Sequence, residues 1–471
     1  MTTINEFIRQ FALSRNIAIQ SMVDSLGYKS KTSIDRILSG NAGIDALSVF
    51  RSRLESVYDL IGDEQKTLDE IIACTVYGPD RANAFRELHD MLCHRTSRGY
   101  ADFGVSSGIG DEFSLCDYIK QTNIRHLKIY NCSYSPFFDV IRTLLRDTDI
   151  SIEHFIALNG SETMLVRGVA GVLDLMTFPN YKAYSHEKTP DDSEAKGILL
   201  ADMIIAYSAL DNNISQLSFI IPDSMQHGRL IELHGDSIPL PEEEEYKPLN
   251  RTCPAASSIE NFVGFCNLLS EMESNCATYD LKPDICVMYI PFRILSEAYM
   301  TSNLPQGFYE GKASAAIKAI FEKRVLNTYT KRKPSYAIMS PEALRQFART
   351  GMTSDHMPGL RAFTVDERIG IFEQLLKACK TNPWFEIYLR RDDSLADYNI
   401  CCYAGRGLFM ALKDSDYLSD HSPEIILTPP ASFYKLFETY YREELIRNHC
   451  YTAAESRDMI AAITNDLRGI G

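Results

Sequence analysis

The sequence has no uninterrupted apolar stretch long enough to cross a bilayer, so it predicts a protein without a transmembrane helix. The opening residues MTTINEFIRQ lack the apolar core and the small-residue cleavage site of a secretory signal. We therefore expect a cytoplasmic protein with no membrane partner. Its 471 residues, of which 45% are hydrophobic and 24% charged, suffice for two or three globular domains.

The twelve cysteines include no CxxC pair. In a chain without an export signal, their scatter favours reduced thiols over a disulfide framework and argues against a structural zinc site. The adjacent Cys401 and Cys402 lie in the apolar run YNICCYAG, which predicts a buried strand. His89 and Cys93 share a helical face that His94 does not, so we predict no metal there.

The sequence gives little local evidence of catalysis. No HExxH motif occurs, and QGFYEGKAS has Gln306 and Ala313 where a P-loop needs Gly and Ser or Thr. The sequence therefore predicts no cofactor. Catalysis by residues brought together from distant positions stays open, because such a site leaves no local motif.

Charge is distributed unevenly along the chain. The net charge is -15, yet residues 1–60 hold seven Lys and Arg against six Asp and Glu, a net charge of +1 that leaves -16 for the rest. Only this N-terminal segment is suited to approach a polyanion, since the remainder repels nucleic acid.

Apolar residues in this segment recur at helical spacing and predict four short helices. Gly27 is placed to end the second helix, and Gly40 with Asn41 to end the third, which Ser30, Thr32 or Ser33 could cap. The four apolar stripes are Ile4, Phe7, Ile8 and Phe11; Met22, Val23 and Leu26; Ile34, Ile37 and Leu38; and Leu47, Phe50, Leu54 and Val57.

Residues 17–54 resemble the helix-turn-helix of the Cro and lambda-repressor-type transcriptional regulators. Relative to the common family pattern, one extra residue lies between Gly27 and Ile34. The positions that carry the resemblance are Met22, Val23, Leu26 and Gly27 in the first helix and turn, KSKTSIDRILSGN as the recognition helix, and Leu47, Phe50 and Leu54 in the packing helix.

With Ile34, Ile37 and Leu38 pointing inward, the polar residues of the third helix must point outward. Lys and Arg neutralise phosphates or bind guanine in the major groove, and Ser and Thr bind phosphates or base edges. The residues that we predict to face DNA are Gln20, Lys29, Ser30, Lys31, Thr32, Ser33, Asp35, Arg36 and Ser39. A solvated surface on a helical module that binds protein is the alternative.

The predicted fold class is multidomain, with an all-α helix-turn-helix head at 1–61, a helical connector at 62–99 and a mixed α/β body. VIRTLLRDTDISIEHFIAL resembles IFEQLLKACKTNPWFEIYL, which predicts two similar α/β halves at 100–240 and 249–471, with PEEEEYKP in an exposed loop between them. A chance match between two amphipathic helices that lead into strands is the other interpretation.

His126 and Lys128 form an HxK on a predicted strand, and duplicated α/β bodies with HxK resemble the phospholipase D superfamily. That family requires HxKxxxxD twice. Ser133 stands at the Asp position here, and the second HxK, at His186, has Ser193 there and lies in a predicted polar loop.

The sequence thus predicts a DNA-binding transcriptional regulator whose body senses an unidentified small-molecule effector or oligomerises. Because small DNA-binding heads gain affinity by pairing, we expect a homodimer on double-stranded DNA. The alternative is a divergent phosphodiesterase-like enzyme that the helical head recruits to its target.

Overall fold

A computed structural model gives the fold for these parts of the chain: residues 3–28, 30–93, 105–106, 112–113, 124–130, 135–158, 161–176, 178–186, 197–200, 203–206, 230–233, 236–239, 243–252, 259–282, 285–302, 311–353, 360–391, 398–412 and 425–470. These residues form two compact units. The first comprises Met1–Glu87 with Ser161–Thr163, and the second comprises Leu88–Gly160 with Met164–Gly471. An all-helical N-terminal part is followed by a mixed α/β body, as the sequence predicts.

The N-terminal part consists of short amphipathic helices. Thr3 and Glu6 form a capping box that starts the first helix. Gly27, at φ +70°, follows the second helix, and Gly40, at φ +73°, follows the third, so both predicted helix ends are confirmed. The helices are α1 Ile4–Ser14, α2 Ile19–Ser25, α3 Lys31–Leu38, α4 Ile44–Tyr58, α5 Gly62–Tyr77 and α6 Pro79–Cys93.

Helix α5 shares the hydrophobic core of α1–α4, although the sequence assigns it to the connector. Leu68 is fully buried in that core, together with Ile71. Ion pairs from Arg15 to Glu64 and from Arg51 to Asp69 also join α5 to the preceding helices. Among the described residues, the core that α1–α4 share thus includes one helix more than the four that the N-terminal apolar stripes predict.

The first sheet has six strands in the order β10-β5-β4-β3-β6-β7. Strands β3, β4 and β5 are parallel and are connected through α7 and α8, whereas the other strands pair antiparallel. The elements up to this sheet's last strand are β1 Val105–Ser106, β2 Glu112–Phe113, β3 His126–Tyr130, α7 Ser135–Asp147, β4 Ser151–Ala157, α8 Glu162–Leu175, β5 Tyr181–His186, β6 Gly197–Leu200, β7 Met203–Ala206, β8 Leu230–Leu233, β9 Asp236–Pro239 and β10 Lys247–Pro248.

The second sheet has seven strands in the order β11-β17-β16-β15-β12-β13-β14, with β12, β13 and β14 parallel. A π-helical segment, Tyr440–Ile446, and a last turn, Arg447–His449, extend helix α14. The remaining elements are β11 Asn250–Thr252, α9 Ile259–Glu273, β12 Thr278–Lys282, α10 Phe292–Met300, α11 Gly311–Thr330, β13 Ser335–Met339, α12 Pro341–Thr350, α13 Val365–Thr381, β14 Phe385–Leu389, β15 Tyr398–Tyr403, β16 Gly407–Leu412, β17 Ile425–Leu427, α14 Ala431–Thr439 and α15 Ala453–Ile470.

The two sheets have the same plan, in which three parallel strands are followed by an antiparallel hairpin beside the first of them. The similarity between VIRTLLRDTDISIEHFIAL and IFEQLLKACKTNPWFEIYL aligns β4 with β14. Because β4 is the second parallel strand of its sheet and β14 is the third of its own, this alignment does not match equivalent strands. An amphipathic helix leading into a strand is common to every crossover of this kind, and the similarity reflects that shared pattern.

The segment 243–252 joins the two sheets, so the run PEEEEYKP, although Glu244, Glu245, Lys247 and Pro248 are exposed as predicted, is not simply a loop. Glu243–Glu245 form a 3-10 turn, β10 pairs with β5, and β11 pairs with β17. Between the two strands, the Leu249 N–H donates to the Ala183 carbonyl, and its own carbonyl accepts from the Thr428 N–H. Strand β10 follows a run of four glutamates in the sequence and shows no apolar alternation, so the sequence pattern did not predict it.

Three further strand assignments differ from expectation. The apolar run ICVMYIPF (285–292) is typical of a buried strand, but Val287–Tyr289 form a buried 3-10 turn. His186 was placed in a polar loop and is instead the buried last residue of β5. The sequence also did not predict β12, the middle strand of the second sheet, because Asp280 and Lys282 interrupt its apolar pattern although every residue of it is buried.

We expect Leu68→Ala to destabilise the helical unit by about 2–5 kcal/mol, because it removes a fully buried side chain from the core shared with α1 and α4. Hydrogen exchange of the α1 and α4 amides in the full chain measures this effect. Ile61→Ala is the matched control, since Ile61 is 62% exposed. Equal protection of these amides in both variants would show that α5 is a separate connector.

Candidate nucleic-acid interface

Helix α3 has one buried side and one exposed side. Ile34 and Ile37 are 4% and 1% exposed and pack in the core with residues of α2 and α4. The exposed side carries two hydroxyls near its start, an acid and a base in its middle, and a hydroxyl at its end. These exposed residues are Thr32, Ser33, Asp35, Arg36 and Ser39.

Four other residues were predicted to face DNA. Gln20 is exposed on α2, where its amide donates to the Asp24 carboxylate at 2.9 Å. Ser30 is the N-cap of α3 by its backbone, but its exposed side chain makes no capping hydrogen bond. Lys29 lies outside the described residues, and of Lys31 the structure describes the helical backbone alone. Ser30 and the exposed side of α3 therefore follow the turn between α2 and α3, whereas Gln20 lies near the start of α2.

Arg53 of α4 fixes that turn, and sequence analysis did not identify it. Its Nη1 donates to the carbonyls of Leu26 and Gly27 at 3.1 and 3.4 Å, and its guanidinium lies 4.6 Å from the centroid of the Tyr28 ring. A planar guanidinium can bind two carbonyls and stack on a ring at once, which an ammonium cannot. A helix C-terminus also favours a cation, so this contact orients α2 and α3 relative to α4.

The end of α3 is held by its own polar groups. The Asn41 N–H donates to the Arg36 carbonyl at 2.8 Å, and the Asn41 amide donates to Ser39 Oγ at 3.0 Å. The Arg36 guanidinium lies 3.5 Å from the Asn41 carbonyl, at the outer limit for a hydrogen bond. Arg36 is therefore exposed and only weakly engaged within the protein.

In the body, His126, Lys128 and Tyr130 lie on one face of β3. Lys128 Nζ contacts both carboxylate oxygens of Glu243, at 2.8 and 2.9 Å, and Tyr130 Oη donates to the same carboxylate at 2.5 Å. Partial burial opposes ionisation of Glu243, but these two donors outweigh it and lower its pKa. Burial and the nearby Glu243 carboxylate raise the pKa of Tyr130, which stays a donor.

The same face of the first sheet carries a row of aromatic rings in register across the parallel strands. Tyr130 stacks on Phe155 at a centroid distance of 5.1 Å, and Phe155 stacks on Tyr184 at 4.9 Å. Tyr246 packs edge-on against Phe155, and His186 packs against Tyr246. The Lys128–Glu243 pair therefore lies over this row of aromatic rings.

His89, which the sequence places near Cys93 and His94, bonds through Nδ1 to Tyr440 Oη at 2.9 Å, and its ring lies 4.6 Å from that of His449. Among the described side chains, no group of three His, Cys, Asp or Glu is arranged to hold a metal ion. None of the described helices has the length and hydropathy that a membrane span requires.

No protein-family model matches the chain. No curated protein matches it either. Among solved structures, phosphatidylserine synthase from Haemophilus influenzae Rd KW20 aligns with 75% of this chain and 91% of its own, at 8% identity and a TM-score of 0.23. A TM-score this low supports no statement about fold or activity.

We expect Arg53→Lys to loosen the turn after α2 while keeping the charge, because the lysine cannot reproduce the two carbonyl contacts and the ring contact. Losing about 1 kcal/mol corresponds to roughly fivefold faster hydrogen exchange at residues 26–28. Arg9→Lys, at an exposed position on α1, is the control and should leave this exchange unchanged. Identical rates in the two variants would contradict the role of Arg53.

Proposed function

We propose that the chain is a DNA-binding transcriptional regulator, with α2, α3 and the turn between them as a helix-turn-helix and α3 as the recognition helix. The observation that carries the proposal is the exposed side of α3, where Thr32, Arg36 and Ser39 are exposed opposite the buried Ile34 and Ile37. A helix held to its scaffold by one side and carrying hydroxyls and a cation on the other suits the major groove.

The charge distribution supports the same proposal. A chain with a net charge of -15 is repelled by DNA except where cations are concentrated, and residues 1–60 are the segment with a net charge of +1. The exposed hydroxyls of Ser30 and Ser33, at the start of α3, can donate to phosphates without adding charge. The acidic body then confines DNA contact to the head.

Single heads of this size bind weakly, so the proposal includes a homodimer that reads two half-sites about 34 Å apart. The body is proposed to carry the sensing or oligomerising role, because a large α/β part is not needed for DNA contact itself. A change in the body that alters the distance between two heads would change affinity without touching a base contact.

We expect Arg36→Ala to weaken binding to a duplex of random sequence and to lower the slope of log affinity against log salt by about 0.9 if Arg36 neutralises one phosphate. Fluorescence anisotropy at several salt concentrations measures both effects, and Lys31→Ala combined with Arg36→Ala should abolish binding. Lys435→Ala, an exposed lysine of α14, is the matched control for the loss of one charge.

Unchanged affinity of the Arg36 variants would refute the assignment of α3. If the wild-type chain shows no salt-dependent binding to duplex DNA, the helical unit is better explained as a protein-binding module.

The second candidate is a phosphodiesterase-like enzyme, which the matching strand orders of the two sheets and the HxK on β3 favour. On the face of β12 equivalent to that of His126 and Lys128, the second half has Tyr279 and Leu281. With Lys128 bound to Glu243, and with Tyr279 and Leu281 where β12 would need a second HxK, we expect wild type and His126→Ala to hydrolyse bis(4-nitrophenyl) phosphate equally little. Turnover that His126→Ala abolishes would favour the enzyme.

A further inference from the structure

The side chains of Lys128 and Tyr130 form a pair of donors aimed at one point above the first sheet. Lys128 Nζ and Tyr130 Oη both reach the Glu243 carboxylate, within 2.5–2.9 Å. The two donors are adjacent on one strand face, and Tyr130 is held by stacking on Phe155. The ring of Tyr130 is therefore positioned by the sheet, and Lys128 Nζ lies 5.9 Å from the centroid of the same Phe155 ring.

Glu243 belongs to a different part of the chain from its two partners. It opens the segment 243–252, whose strands pair with β5 of the first sheet and β17 of the second. The side chains of Lys128 and Glu243 are 37% and 39% exposed, so a small solute can reach the pair from solvent. Two donors on one strand face are thus bound to a carboxylate that the chain itself supplies, at a position that solvent and small solutes can reach.

We propose that Lys128 and Tyr130 form an oxyanion-binding site that Glu243 closes from within, and that a phosphate-bearing ligand takes the place of the Glu243 carboxylate. A phosphomonoester carries nearly two negative charges at neutral pH and three acceptor oxygens, so it can accept from both donors and pairs with Lys128 more strongly than one carboxylate does. Apart from Glu243, the charged side chains in register at this place on the three parallel strands are Lys128 of β3, Glu153 of β4 and Lys182 of β5. They are two cations and one carboxylate.

Release of Glu243 has a structural consequence, because the same segment connects the sheets. Glu243 lies only a few residues before Leu249, which bonds to Ala183 of the first sheet and to Thr428 beside the second. Binding of the ligand would therefore change the contacts of the segment that connects the two sheets. This inference does not depend on DNA binding by α3, since the site and its ligand lie in the body.

Isothermal titration of the full chain with inorganic phosphate, in the absence of DNA, tests the proposal. We expect Glu243→Gln to bind phosphate at least tenfold more tightly than wild type, because it removes the competing charge. Glu244→Gln, at the exposed neighbouring position, should behave as wild type. Adding Lys128→Met to Glu243→Gln should abolish the gain.

A folded Glu243→Gln protein that binds phosphate no better than wild type would overturn the proposal, and so would a gain that survives Lys128→Met. If Glu243→Gln does not fold, wild-type protein in saturating phosphate should show faster hydrogen exchange at the Tyr246 and Leu249 amides, and unchanged exchange would likewise overturn it. A short single-stranded oligonucleotide, whose phosphodiesters carry one charge each, should not displace the phosphate, and displacement would contradict a phosphomonoester as the ligand.

Discussion

The body depends on one segment of chain that takes part in two sheets. Residues 243–252 add β10 to the edge of the first sheet and β11 to the edge of the second, and Leu249, fully buried, bonds through its backbone in both directions. A strand shared in this way fixes the register of both edges at once, because slipping by one residue would turn Leu249 out of the core. The Lys128–Glu243 pair adds a side-chain contact to that connection.

The helical unit was accessible to sequence analysis because its signals are local. Apolar spacing located α1 to α4, and Gly27 and Gly40 marked two helix ends that need a positive φ. Contacts between distant positions were not accessible. In the sequence, nothing distinguishes Arg53 from the other cations of the N-terminal segment. It contacts the turn after α2 only because α4 packs against that turn in the folded protein. The burial of Leu68 in the same core could not be inferred for the same reason.

In the body, the sequence predicted the fold class and a duplication but not the matching of the halves. Equivalent strands occupy the same place in their sheets but share few side chains: one face of β3 carries His126, Lys128 and Tyr130, and the equivalent face of β12 carries Tyr279 and Leu281. Strand β12 was hidden by its own polar residues. Asp280 accepts from Tyr289 Oη, and Lys282 donates to Asn399, so these charged side chains are buried with partners in a strand that hydropathy alone reads as a loop.

The two halves repeat one contact and differ in another. In each half, a tyrosine of the first parallel strand stacks on an aromatic ring of the second and donates to a glutamate from outside the parallel strands: Tyr130 to Glu243, and Tyr279 to Glu438. In the first half, a lysine of the strand itself, Lys128, also binds that glutamate. In the second half, Leu281 occupies the corresponding face of β12, and the cation paired with Glu438 is Arg442, one turn further along the same helical segment, at 3.7 Å. The tyrosine–glutamate contact common to both halves is explained by packing alone. The lysine on the strand face is not, because an exposed ion pair contributes little to stability. It is the feature of this face that an anionic ligand would use.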